Sequence, residues 1–394
     1  MCKRGITMAQ SVCLFSLIIL LVVFGYVSFA LNLNISSNDD YSFKVGTASN
    51  SVTMVTLLFR HGDRNPTETY EKDPHKNYTW VGGYGALTKK GIKQMYMLGK
   101  IMNRRYKHLL PDEPYSKTVI TVDSSAADRC LMSAASFLSA FWPPPTEWIL
   151  PIEWQPIPIH YSSRTEDYLL AQKKKCERYE SELKETYINE TLEESFDINF
   201  DGFYDMLTHH TGQNVTNKLD VELLFNILDI EHSNGLELPE WTNSLYPTRL
   251  LNIAKKNLQL LTNTHFMKRI KGGSLIANMI QKMQSHIKNS EGTIAVYSAH
   301  DVTLVNFLRA LGYDELLKPD YGATIALELD QVPGVAPTVQ VLYFNDTLTT
   351  VPTIIPISSC SDTKLCTLTE FIHHLEVVTD ILPSNNWNDE CKIT

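Results

Sequence analysis

Two short runs far apart in the chain carry reactive side chains: Arg60-His61-Gly62-Asp63-Arg64-Asn65-Pro66 and Ala299-His300-Asp301. Arginines, histidines and a carboxyl together suit phosphoryl transfer. Charge must be stabilised on three equatorial oxygens, and planar, permanently charged guanidiniums do this without a metal ion. A neutral imidazole can attack phosphorus and form a covalent phosphohistidine, dividing hydrolysis into two easier steps. A carboxylic acid must then protonate the departing oxygen, and Asp301 is the carboxyl beside the second histidine. Its protonated form is the useful one, so an acid pH optimum is expected.

These groups must be held by rigid elements. Residues 52–59 form a mostly apolar, β-branched run that stops at a polar cluster, as expected for a strand buried on both faces of a parallel sheet. Similar runs occupy 118–122, 293–298 and 324–329, and helical patterns at 87–106, 125–141 and 302–311 follow the first three. Strand then helix, repeated, predicts an α/β fold with a mainly parallel central sheet flanked by helices. Ligands bind such sheets at the carboxyl ends of the strands. If strands 52–59 and 293–298 are parallel neighbours, His61 and His300 meet at one edge. Strand 118–122 ends at Asp123-Ser124-Ser125 and sets Arg129 in the first turns of the next helix. Three arginines and two histidines would then converge on a helix N-terminus, a ready phosphate site.

Between 162 and 272 the pattern changes to charged amphipathic helices, such as 165–187 and 248–270, with no convincing buried strand. This predicts an inserted α-helical cap, entered through a proline-rich extended crossing at 142–158. The expected organisation is a signal peptide at 1–30, an α/β domain built from 31–161 and 273–394, and the cap at 162–272.

The composition agrees with a globular protein. Of 394 residues, 43% are hydrophobic and 20% charged, with 18 Gly and 18 Pro, which excludes collagen-like, disordered and coiled-coil chains. A net charge of −9 argues against a nucleic-acid partner. Lys3 and Arg4 precede an apolar stretch and then Ser28-Phe29-Ala30, the layout of a cleaved secretory signal. Left uncleaved, the same segment could anchor the chain in a membrane; either way the remainder is delivered to the lumen or outside. Glycosylation sequons at Asn34, Asn77, Asn189, Asn214 and Asn345 fit that route. Beyond the signal stand Cys130, Cys176, Cys360, Cys366 and Cys391, an odd number, so at least one thiol is free or paired between chains. No C-x-x-C pair occurs and no zinc site is expected. Asp197-Ile198-Asn199-Phe200-Asp201-Gly202 opens like a calcium loop, but its twelfth position is Thr208 instead of the bidentate Glu. No metal or other cofactor is expected.

The two reactive runs resemble those of the histidine acid phosphatases, the acid branch of the histidine phosphatase clan, of prostatic, lysosomal and secreted insect type. The likeness covers nearly all of the mature chain. It includes Leu87-Thr88-x-x-Gly91-x-x-Gln94 with Leu98-Gly99, Asp128-Arg129-Cys130-Leu131-Met132-Ser133-Ala134, the segment from Trp154 to His160, and Tyr297-Ser298-Ala299-His300-Asp301. The resemblance implies a secreted or lysosomal acid phosphatase acting on small-molecule or phosphoprotein monoesters and sensitive to tartrate. His61 would be the nucleophile and Asp301 the proton donor, with Arg60, Arg64, Arg129 and His300 binding phosphate. It also implies disulfides Cys176–Cys391 and Cys360–Cys366, an unpaired Cys130, and a homodimer contact through the Trp154 segment. Two rival functions share the scaffold: a phytase or inositol-polyphosphate phosphatase, which needs a strongly basic pocket, and a secreted binding protein without turnover.

Overall fold

A computed structural model describes residues 47–189, 202–362, 364–383 and 386–392. The signal segment 1–30, the Asn34 sequon and positions 197–201 of the acidic loop lie outside them. The chain opens with strand β1 (Val52–Arg60), then helix α1 (Lys89–Arg105), β2 (Ile120–Ser125), α2 (Asp128–Phe141) and the short β3 (His160–Ser162). Helices α3 (Glu177–Asn189), α4 (Phe203–Thr211), α5 (Lys218–Ser233), α6 (Thr248–Leu260), α7 (His265–Lys268) and α8 (Ser274–Asn289) follow, leading to β4 (Ile294–Ala299) and α9 (Asp301–Ala310). Strands β5 (Thr324–Asp330), β6 (Thr338–Phe344), β7 (Thr353–Ile355) and β8 (Cys366–Thr367) come next, then helices α10 (Leu368–His373) and α11 (Trp387–Glu390).

The strands form one mixed sheet in the order β3-β2-β4-β1-β5-β6-β7, with β8 also pairing with β6. Strands β3, β2, β4 and β1 are parallel, whereas β5 runs antiparallel to β1. The parallel expectation therefore holds for the half that carries the reactive runs and fails for 324–329. The reason is the loop 311–323, which returns to the carboxyl edge after α9, so that Thr324 starts β5 opposite Phe59 at the end of β1.

Strand β1 reads as continuously apolar because both faces are covered. Met54 and Leu58 pack with Leu275, Met279, Leu304 and Phe307 of α8 and α9. Val55, Leu57 and Phe59 point to the other face, against Met95, Leu98 and Met102 of α1 and Phe137 and Phe141 of α2. Burying each such side chain contributes about 1.5–3 kcal/mol, which fixes the strand ends within a dense frame.

Among the described residues, the stretch between β3 and β4 contains no strand. It has an apolar core of its own, built on Phe203, Leu207, Val221, Leu224, Leu250 and Ile253, with Tyr70 entering from the segment after β1. Two of its helices are shorter than periodicity predicts. Helix α3 begins only at Glu177 because the Asp167 carboxylate accepts the backbone N–H groups of Leu169, Leu170 and Ala171 and turns the chain. The 248–270 pattern breaks after α6, where Thr264 caps the start of α7 through its hydroxyl, 3.1 Å from the Met267 N–H.

Cys176 bonds to Cys391 and Cys360 to Cys366, while Cys130 is the buried free thiol of the described residues. Asn77, Asn189, Asn214 and Asn345 are exposed. No helix among the described residues is long and apolar enough to cross a membrane.

Candidate active site

Strands β1 and β4 pair with Arg60 opposite Ala299, so the residues that follow each strand emerge side by side. The rings of His61 and His300 lie 5.6 Å apart, nearly perpendicular. The Nδ1 of His61 sits 2.9 Å from the Gly62 carbonyl oxygen. A carbonyl can only accept, so Nδ1 carries the hydrogen and Nε2 keeps its lone pair. That is the tautomer a nucleophile needs.

The loop after β1 is pinned on several sides. The Gly62 N–H donates to Ser133 Oγ at 3.1 Å, the Asp63 N–H to Gln94 Oε1 at 2.8 Å, and Thr88 Oγ1 to Asp63 Oδ2 at 2.5 Å. Gly62 rests directly on Gly91 in the first turn of α1: a Cβ there would stand 2.6 Å from the Gly91 carbonyl oxygen. The Leu87-to-Gln94 motif thus supports the reactive loop from below.

The three arginines converge from different elements. Arg60, at the end of β1, donates from Nη1 to the Pro319 carbonyl at 2.6 Å, pairs through Nη2 with Asp301 at 3.2 Å, and lies 4.1 Å over the Tyr321 ring. Arg64 is held by the Asn65 carbonyl at 2.9 Å, and Arg129, in the first turn of α2, donates to His300 Nδ1 at 3.4 Å. His300 therefore accepts at Nδ1 and donates from Nε2 to Ser125 Oγ at 2.9 Å. The Nε–H groups of Arg60, Arg64 and Arg129 are buried with no acceptor among the described residues. An unsatisfied buried donor costs about 1–3 kcal/mol, and an arriving oxyanion removes that cost.

The electrostatics follow from this crowding. Burial, then Arg129 and Arg60, with smaller effects from His300 and Arg64, holds His61 well below the usual imidazole range. Burial, then Arg129, pushes His300 down to about 3. Both rings stay neutral in mild acid. Asp301 departs from the sequence expectation. Burial pushes its carboxyl up, but Arg60 and Lys318 together outweigh burial and hold it well below the usual carboxylate range. These surroundings favour its carboxylate form.

Beside Arg60 and Tyr321 opens a cleft of about 610 Å³, lined in part by Phe225, Leu251, Asp229, Asp320, Asp346 and Lys255. Burial, and beyond it the nearby Asp346 and Asp229, push the Asp320 carboxyl up despite Arg60.

All six residues singled out from the sequence lie at this edge: Arg60, His61, Arg64, Arg129, His300 and Asp301. Lys318, Tyr321 and Ser125 also belong to it. Ser125 was legible only as a strand end. Lys318 and Tyr321 sit in Leu317-Lys318-Pro319-Asp320-Tyr321, a polar segment before a strand with no motif to mark it.

Residues 51–341 match the model of the histidine phosphatase superfamily, branch 2. The chain belongs to this family. Bovine prostatic acid phosphatase is 32% identical over 356 residues, covering 88% of this chain and 89% of the relative. Human lysosomal acid phosphatase is 32% identical over 362 residues, covering 88% and 82%. This histidine phosphatase is accordingly a phosphatase enzyme. Among solved structures, the apo phytase of Hafnia alvei superposes with a TM-score of 0.64 at 16% identity, over 88% of this chain and all of that one. At that identity the likeness is one of fold.

Proposed function

We propose that this histidine phosphatase is a secreted acid phosphatase that hydrolyses phosphate monoesters through a covalent phosphohistidine on His61, without a metal ion. The observation that carries the reading is the buried His61 ring, its Nδ1 tied to Gly62, set among three arginines with orphaned buried donors. The arginines supply the positive charge that phosphoryl oxygens demand. Among the described residues no three His, Cys, Asp or Glu side chains group to hold a metal.

In the first step His61 Nε2 bonds to phosphorus as the ester P–O bond breaks, and protonated Asp301 gives its proton to the leaving oxygen, releasing the alcohol. In the second, Asp301 as carboxylate takes a proton from water, whose oxygen attacks phosphorus as the N–P bond breaks. Phosphate leaves and His61 is restored. Arg60, Arg64, Arg129 and His300 hold the phosphoryl oxygens throughout. Because Arg60 pairs with Asp301 in the empty site, a bound phosphoryl group that draws Arg60 to itself favours protonation of the carboxyl.

The cleft disfavours the phytase reading. It is not the strongly basic pocket that a substrate with many phosphates needs: Arg60, Lys90, Lys255 and Lys318 are matched there by Asp63, Asp229, Asp320 and Asp346. The intact set of six reactive residues likewise disfavours a binding protein without turnover. Export through a cleaved signal is supported by the leader and by the exposure of four sequon asparagines, Asn77, Asn189, Asn214 and Asn345. A homodimer through the Trp154 segment is supported by the exposure of Trp154, 44% accessible, and of Ile152 just before the segment, 56% accessible.

The test is p-nitrophenyl phosphate hydrolysis by the glycosylated protein from about pH 3 to 9, with excess chelator and with or without tartrate. Activity peaking in mild acid, indifferent to chelator and blocked by tartrate, is expected. Folded protein without activity across that range would overturn the reading.

A further inference from the structure

Asp301 is surrounded by donors, two of them cations. Its Oδ2 faces two cations, Arg60 Nη2 at 3.2 Å and Lys318 Nζ at 2.8 Å, and its Oδ1 accepts the Val302 N–H at 2.9 Å. Every near neighbour donates, and the two cations favour the ionised form, so the carboxyl takes a proton more readily when one cation withdraws. Arg60 can withdraw, because a bound phosphoryl group offers it other oxygens. Lys318 is placed otherwise.

Lys318 reaches the site from the loop 311–323, and its side chain is 8% exposed. Its ammonium is shared with Glu222 Oε1 of α5 at 3.1 Å, a carboxylate itself 9% exposed. Glu222 Oε2 accepts from Asn257 Nδ2 of α6 at 2.6 Å, and Asn257 Oδ1 accepts from the Tyr187 hydroxyl of α3 at 2.7 Å. The cation beside Asp301 is thus anchored through three helices and is not free to follow a substrate.

We infer that Lys318 is a positioning residue: anchored on Glu222, it keeps Asp301 a carboxylate while the site is empty, so that the proton for the leaving oxygen enters with the substrate. This rests on the proposed phosphohistidine mechanism. A phosphate monoester has a second ionisation near pH 6, so in mild acid it arrives as a monoanion bearing one P–OH proton. The arginines favour the dianion. The P–OH proton passes to Asp301 as Arg60 turns to the phosphoryl oxygens, and it then goes to the leaving oxygen as the P–O bond breaks and the N–P bond forms. One proton is moved twice, and no other reactant is required.

The groups facing Asp301 from each packed element are consistent with this. Arg60 and His61 come from the end of β1, Arg129 and Cys130 from α2, His300 from its own turn, and Lys318 from the loop, with Glu222 behind it. His61 and His300 are neutral and burial pushes the Cys130 thiol up to about 12, so the cations hold the balance.

The experiment uses inorganic sulfate, a dianion in mild acid that brings no proton of its own. Calorimetric titration of the full protein near pH 5, in two buffers of different ionisation heat, counts protons taken up on binding. The wild type is expected to take up about one proton per sulfate, since the carboxyl must be protonated from solvent. Lys318→Met, whose Asp301 is already largely protonated when empty, is expected to take up clearly fewer, and Lys318→Arg to match the wild type. The double variant Lys318→Met, Glu222→Gln strands no buried carboxylate and is expected to behave as the single Met variant even if that one folds poorly. Equal uptake by wild type and the Met variants, with sulfate bound by all, overturns the inference while leaving the phosphatase reading intact. A wild type that neither hydrolyses p-nitrophenyl phosphate nor binds sulfate would overturn the mechanism beneath it.

Discussion

The imidazoles of His61 and His300 meet edge to face, 5.6 Å between ring centres and 77° between planes, although 238 residues of chain separate the ends of their strands. Each is fixed in one tautomer by a neighbour that can act in only one sense, the Gly62 carbonyl for the first and the Arg129 guanidinium for the second. Burial and the arginines keep both uncharged.

A neutral His61 in acid makes it the residue whose loss should be most costly. His61→Ala is expected to abolish the trapped, acid-labile phosphoenzyme and to lower kcat by at least about 10⁴-fold, with little change in thermal stability. The wild-type acid limb should lie well below pH 6.5, because the ring is already neutral there. A variant that still forms phosphohistidine would remove His61 from the nucleophile's role.

Leaving groups distinguish the carboxyl's part. Asp301→Asn should slow an alkyl phosphate by about 10²–10⁴-fold and p-nitrophenyl phosphate by much less, since a phenolate of low pKa departs without help. Parallel kinetics on the two esters decide the matter, and equal losses would count against a proton donor.

Gly62 has no room for a side chain. With a Cβ 2.6 Å from the Gly91 carbonyl oxygen and 2.9 Å from Gly91 Cα, Gly62→Ala must shift backbone, carrying His61 with it. A displacement near 1 Å costs on the order of 10²-fold in rate. Turnover should fall much further than the melting temperature, and unchanged kcat would show that the loop yields freely.

Stability should depend on pH through a carboxyl pair away from the site. Burial, then Asp73, pushes Glu231 up from 4.5 to about 8. Its folded value exceeds its unfolded one, so the folded state binds the extra proton. Stability is fully present below about pH 4.5 and is lost as pH rises through about 8. Glu231→Gln keeps a donor toward Asp73 and has nothing to ionise, so its melting temperature should fall less than the wild type's between pH 5 and 8. Identical slopes would dismiss Glu231 as the cause.

A cleft whose cations are matched by carboxylates predicts selectivity. Phytate should be a much poorer substrate than a simple monoester, and Asp320→Asn should raise kcat/KM for phytate more than for p-nitrophenyl phosphate. No change in that ratio would mean that Asp320 does not meet the leaving group.

By itself the sequence picked out six candidate residues and the sheet edge on which they lie. A strand buried on both faces is largely apolar, so the abrupt polarity at Arg60 and His300 marks the ends of β1 and β4, whereas β2 runs on through Asp123 to the buried Ser125. Parallel neighbours put those exits on one edge, and the arginines and histidines follow. Periodicity overran the helices at 165–176 and 261–264, where Asp167 and Thr264 offer the backbone side-chain partners that compete with helix. Only the tertiary structure decided that β5 is antiparallel, that Tyr321 lies beneath Arg60, and that Lys318 stands between Asp301 and Glu222. A buried ion pair between a loop and a helix 96 residues apart leaves no local pattern, because what places it is the packing of α5 against the sheet edge. The protonation of Asp301 is decided there as well: a carboxyl's charge depends on the cations within a few ångströms of it in space, and only one of its two cations stands in a recognisable motif.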